Sequence, residues 1–137
     1  MQTFRDDLRR GEAVEKDFLD RLLVSFKHAT KSVGKNSRYD ILIPELDAKV
    51  EVKFDPMSRE TGNIVVEYFH NQPSGLHTTE SDHWLFYDGV DEYWLTLTDL
   101  IGICASQSPT RIHGRGDRHP KWVYLVPIEV IRKNARQ

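Results

Sequence analysis

Residues 50–54 read VEVKF, the alternation of apolar and charged side chains expected of a strand buried on one side. If Val50, Val52 and Phe54 face a core, then Lys49, Glu51 and Lys53 share the other face, with neighbours on that face roughly 6.5–7 Å apart. An acid and a base so placed are either a solvated strand face with an ordinary ion pair or part of a site. The segment just upstream bears on which.

YDILIP, residues 39–44, reads as a second alternating strand closed by Pro44. A four-residue connection from Pro44 to Asp47 pairs Ile43 with Ala48, which carries Asp40 opposite Glu51 with β carbons about 5 Å apart. Two carboxylates at about 4 Å repel by about 4 kcal/mol at an effective dielectric near 20. A lysine, solvent or a divalent cation must relieve that repulsion, and hard oxygen donors suit Mg2+ or Mn2+. Glu15 adds a third acid: it lies three, four and seven positions from Phe18, Leu19 and Leu22, so it borders the buried face of its helix.

The rest of the chain sets these strands in a fold. Val14, Phe18, Leu22, Phe26 and Ala29 recur at helical intervals, predicting an amphipathic helix over 11–34. A short basic loop, KSVGKNSR, follows. GNIVVEYFHN, residues 62–71, predicts a third strand that completes a meander with the first two. Thr79 is placed to cap a short helix, with Asp82 three residues on. HWLFYDG and EYWLTL predict strands four and five, Thr98 or Asp99 caps a helix over DLIGICAS, and 106–121 reads as a mobile basic loop. WVYLVP predicts a last strand and IEVIRKNARQ a terminal helix. Helices and strands in this order predict an α/β mixed sheet flanked by helices, in a single domain over 1–137.

Composition narrows the function classes. With 39% hydrophobic and 29% charged residues the chain is neither a disordered tail nor a membrane protein. It lacks any apolar run near the roughly 20 residues that span a bilayer, and MQTFRDDLRR has no signal-peptide core, so a cytoplasmic address is expected. Cys104 is the only cysteine; it excludes an internal disulfide and reads as a small core residue. A net charge of −2 predicts no broad attraction to nucleic acid, so such a partner needs a local basic surface.

Asp40, followed eleven residues later by Glu51-Val52-Lys53, resembles the D...(D/E)xK signature of the PD-(D/E)xK, or restriction-endonuclease-like, nucleases. GEAVEKDF is similar to the first helix of archaeal-type Holliday junction resolvases in that superfamily. The segment from Gly62 to Tyr87 looks like the third strand, helix and fourth strand of small phage and prokaryotic nucleases. The resemblance covers about residues 10–100. Tyr39 stands where the signature nominally has Pro, and helix two lacks the Gln or Lys that resolvases often carry.

The resemblance implies an αβββαβ core and a Mg2+- or Mn2+-dependent endodeoxyribonuclease acting in DNA repair or recombination. It makes Glu15, Asp40, Glu51 and the Val52 carbonyl the metal ligands, and Asp40, Glu51 and Lys53 the catalytic set, with Lys53 orienting or deprotonating the attacking water. Duplex or branched DNA, at one charge per roughly 1.7 Å of duplex axis, would then need flanking cations. Lys31, Lys35 and Arg38 precede the first strand, and Arg111, Arg115, Arg118 and Lys121 occupy the late loop. Paired cutting by resolvases implies an isologous homodimer.

Other residues read more plainly. His70, His77, His83, His113 and His119 show no HExxH or HxH spacing, the RGD at 115–117 is a short chance match, and Glu67 reads as structural. A nucleic-acid-binding or partner-binding module that keeps a nuclease-like scaffold without turnover is the competing function class.

Overall fold

Helix α1 spans Phe4–Ser25 and lays Val14, Phe18, Leu19 and Leu22 on the sheet below it. It stops well short of Gly34, where the apolar period had placed its end. The backbone N–H of His28 is taken by the Glu45 carboxylate at 3.0 Å, a partner that competes with a further helical turn, and strand β1 (Thr30–Lys31) follows at once. The computed structural model describes residues 4–32, 38–113 and 119–136, with residues 4–8 described by backbone alone.

Strands β2 (Ile41–Ile43) and β3 (Ala48–Phe54) form the expected hairpin, with Ile43 opposite Ala48. Pro44–Leu46 makes one 3-10 turn, and Asp47 closes it in the left-handed region at φ 48°. The meander is nevertheless not the expected one. It consists of β1, β2 and β3, whereas β4 (Asn63–His70) leaves for a separate sheet. The place beside β3 goes to β5 (His83–Tyr87), which runs parallel to it, and β6 (Glu92–Thr96) completes the order β1-β2-β3-β5-β6. The reason lies in burial: β5 hides Trp84, Leu85 and Phe86 in succession, as only a strand covered on both faces does.

Between β3 and β4 the four-residue helix α2 (Ser58–Thr61) ends on Gly62 at φ 78°, which turns the chain out of the first sheet. Asp55 staples the corner. Its N–H donates to the Tyr87 carbonyl at 2.8 Å and its carboxylate accepts from Val65 N–H at 3.2 Å. Helix α3 (Leu97–Ala105) is capped by Thr96, whose hydroxyl accepts from Asp99 N–H, so the cap falls ahead of the expected Thr98 or Asp99. Part of the expected basic loop is strand β7 (Pro109–Ile112), which with β4 and β8 (Lys121–Pro127) forms the second sheet in the order β4-β8-β7. Helix α4 (Ile128–Asn134) ends the fold.

The five-stranded sheet therefore lies between two layers. Ile41, Ile43, Val50, Val52 and Leu85 face α1, while Trp84, Phe86, Tyr93 and Leu95 face α3, α4 and the second sheet. Cys104 is buried in the latter layer, where burial pushes its thiol up to about 11. Among the described residues no helix is long and apolar enough to cross a membrane.

The stretch 79–82, expected to start a helix, is instead a brace. The Arg38 carbonyl accepts from Glu80 N–H at 2.9 Å, the Ser81 hydroxyl at 3.1 Å and the Thr79 hydroxyl at 3.3 Å. Asp82 exchanges two 2.8 Å hydrogen bonds with the backbone of Lys49, one of them through its carboxylate. These bonds hold the entry to β2 against β3 and β5. With β5 central, Leu85→Ala should cost about 2–5 kcal/mol in urea unfolding. Val90→Ala, at a largely exposed position, should change stability by less than about 0.5 kcal/mol.

Candidate metal and hydrolytic site

Regular pairing of β2 ends at Ile41, which faces Val50. Asp40 also bonds to Val50, donating its N–H to that carbonyl at 2.9 Å, so two residues face one as in a β-bulge. This replaces the expected straight opposition of Asp40 and Glu51. The next ladder position, beside Val52, is filled by the Asp40 side chain, whose Oδ2 accepts the Val52 N–H at 2.7 Å. A strand N–H points along the plane of the sheet, so the carboxylate lies at the sheet's level where β2 stops.

From there it meets acids from both sides. Glu51 points away from α1, since Val50 and Val52 point toward it, and stands near enough to Asp40 for that carboxylate to raise its pKa. Glu15 comes from α1 on the opposite face, and Asp40 raises its pKa as well. The expected trio of Glu15, Asp40 and Glu51 is thus brought together around the Asp40 carboxylate.

Crowding and burial keep two of these acids protonated unusually far up the pH scale. Glu51 is only 6% exposed; burial raises it to about 7, with Lys53 opposing and Asp40 reinforcing the rise. Glu15 is also raised to about 7, first by burial and then by Asp40, with Lys31 opposing and Glu12 adding to it. The Lys53 ammonium lies 3.6 Å from Glu51 Oε1 and 5.8 Å from the centre of the Trp84 ring. Glu51 Oε2 and Trp84 Nε1 are both buried without a hydrogen-bond partner among the described residues. Glu51 and Trp84 face each other across the parallel β3–β5 pair. The sequence held no sign of Trp84's place here, because a parallel neighbour cannot be read from local spacing.

The cations expected to flank the site are distributed unevenly. Arg38 pairs with Glu80 at 3.2 Å, and Lys121 with Glu67 at 3.6 Å. Glu67 in turn accepts from the Ser74 hydroxyl at 2.7 Å, in keeping with its structural reading. Arg111 is exposed on β7. Lys35, Arg115 and Arg118 lie outside the described residues. Lys31, on β1, stands near enough to Glu15 to lower its pKa.

Among the described residues no three His, Cys, Asp or Glu side chains stand in a metal-ligating arrangement. The chemistry of the three acids still fits a divalent ion. The donors are hard oxygens, one carboxylate oxygen is buried with no partner, and two carboxyls hold protons that a cation would displace. Glu15, Asp40 and Glu51 would hold it, together with the Val52 carbonyl between Glu51 and Lys53.

The raised pKa values give stability a definite pH slope. In the folded chain Glu15 and Glu51 bind protons up to about pH 7, but once unfolded they release them near the ordinary value of 4.5. Their contribution is therefore complete below about pH 4.5 and is lost as pH rises through about 7. In EDTA, Tm should fall from pH 5 to pH 8. Mn2+ should raise Tm more at pH 8 than at pH 5, and Glu51→Gln should flatten the slope and remove most of the Mn2+ gain. A Tm indifferent to Mn2+ at pH 8 would count against these acids as ligands. Comparison with protein-family models, curated proteins and solved structures finds no match to the chain, so the reading of these acids rests on their own geometry.

Proposed function

We propose that this chain is a metal-dependent nuclease that hydrolyses phosphodiester bonds in DNA, using Mg2+ or Mn2+ held by Glu15, Asp40, Glu51 and the Val52 carbonyl. The observation that carries the proposal is the meeting of three carboxyls from one helix and two adjacent strands beside the Lys53 ammonium. The element order agrees with it only in outline. A helix, an antiparallel hairpin carrying the acids and a later strand beside β3 follow one another, but the third strand of the implied αβββαβ core, β4, belongs to the second sheet. No long helix stands between β4 and β5, where the implied core has its second helix; only the 3-10 turn Gly75–His77 lies there.

A bound divalent ion supplies an acidified water and neutralises the charge that builds on the phosphate. The chain's own part is positional. Asp40 is fixed by the Val52 N–H and Glu51 by burial. Lys53, anchored between Glu51 and the face of Trp84, orients the attacking water and offsets charge on the phosphate oxygens. Branched DNA, paired cutting and a homodimer belong to the same proposal, as does a role in repair or recombination.

The test is cleavage of end-labelled single-stranded, duplex and four-way-junction DNA with Mg2+ or Mn2+, against an EDTA control. Glu51→Gln and Lys53→Ala should each lower the rate at least about 100-fold while the protein stays folded by circular dichroism. Activity that survives both changes removes the assigned site. Tight DNA binding with no cutting and no calorimetric response to Mn2+ would point to the non-catalytic binding module instead.

A further inference from the structure

Next to the three acids, on the α1 side, a cleft of about 400 Å³ opens between the helix and β1–β2. Its walls include Ala13, Leu19 and Ile41, and its rim carries Arg9, Lys16 and Lys31 with Glu12 and Glu15. Two features join it to the acids. Glu15 belongs to both, and Ile41 directly follows Asp40 in the chain. A group seated in this cleft is therefore adjacent to whatever reacts at the acids.

The cleft's cations differ from those elsewhere around the sheet. Arg38 and Lys49 are engaged by Glu80, Lys53 by Glu51 and Lys121 by Glu67. Lys16 leans on Asp20 at 4.0 Å, with both side chains mostly in solvent. Arg9 and Lys31, by contrast, make no ion pair among the described residues and face a space with an apolar floor. Two cations at a rim over aliphatic walls suit a ligand with a phosphate at one end and a flat or sugar body at the other. The volume falls in the range of about 300–1,000 Å³ of small-ligand clefts. It holds one nucleotide, whereas a duplex, with a major groove alone about 12 Å wide, cannot enter.

We infer that this cleft binds one unpaired nucleotide of the substrate next to the cleaved bond, with its phosphate on Arg9 and Lys31 and its sugar or base against Ala13 and Leu19. The inference rests on the nuclease reading of the neighbouring acids and narrows it: the preferred substrate carries unpaired nucleotides, as at a single-stranded end, a flap or a branch. Glu12 and Glu15 oppose a phosphate there, which is why both cations are needed.

The experiment is fluorescence anisotropy with labelled twelve-nucleotide oligothymidylate and a blunt duplex of equal length, in EDTA, across a range of salt. Arg9→Ala with Lys31→Ala should weaken binding of the single strand at least about 10-fold and the duplex less. It should also reduce the slope of log K against log salt by about 0.7, for the one phosphate the two cations share. Lys133→Ala, which removes an exposed charge on α4, should leave both unchanged. Equal loss for the two DNA forms, equal loss with Lys133→Ala, or no loss at all would overturn the cleft. The two readings fail separately. Binding that depends on Arg9 and Lys31 without metal-dependent cutting keeps the cleft and ends the nuclease reading. Cutting whose KM ignores both residues does the reverse.

Discussion

The site depends on one hydrogen bond, from the Val52 N–H to the Asp40 carboxylate at 2.7 Å. It forms because β2 stops a residue too soon to satisfy β3, and a buried strand N–H left unpaired is costly. Asp40 replaces the missing backbone acceptor with its own side chain. The price is a fixed carboxylate at the level of the sheet, where acids from either face can reach it. Were β2 one residue longer, a carbonyl would occupy that position, and Glu15 and Glu51 would lie on opposite sides of an intact ladder.

The brace on Arg38 explains why the short strand holds this shape. Thr79, Glu80 and Ser81 converge on one carbonyl two residues before Asp40, and Asp82 grips Lys49 on the facing strand. The ion pairs of Glu80 with Arg38 and Lys49 lie on the same brace, and their partners lower the Glu80 pKa, the Arg38 hydrogen bond foremost. The Arg38 carbonyl thus serves the architecture of the site, while its guanidinium, largely exposed, pairs with Glu80.

Local pattern made the hairpin and its acids legible. The alternation in residues 50–54 and the length of the turn after Ile43 were enough to set the register Ile43–Ala48, and helical spacing placed Glu15 at the border of a buried face. What the chain does over longer distances was not legible. β4 looks like a third meander strand by every local measure, yet its partner is β8, nearly sixty residues away, and nothing in either segment announces a second sheet. Likewise the bulge at Asp40 depends on where β1 and the brace pull the chain. Thr79 carried a helix-cap signal because hydroxyl, acid and turn residues serve braces as well as caps.

Burial on one side of the acids gives the site its electrical character. Behind Glu51 stands the core of Trp84 and Phe86, not water, so charges there are weakly screened and each added charge counts for more. In that setting Lys53 beside Glu51 and Lys31 near Glu15 offset burial and Asp40 only in part, and both acids are raised to about 7. On the proposed reading, a divalent ion would supply both the missing positive charge and a partner for the unpartnered Glu51 oxygen.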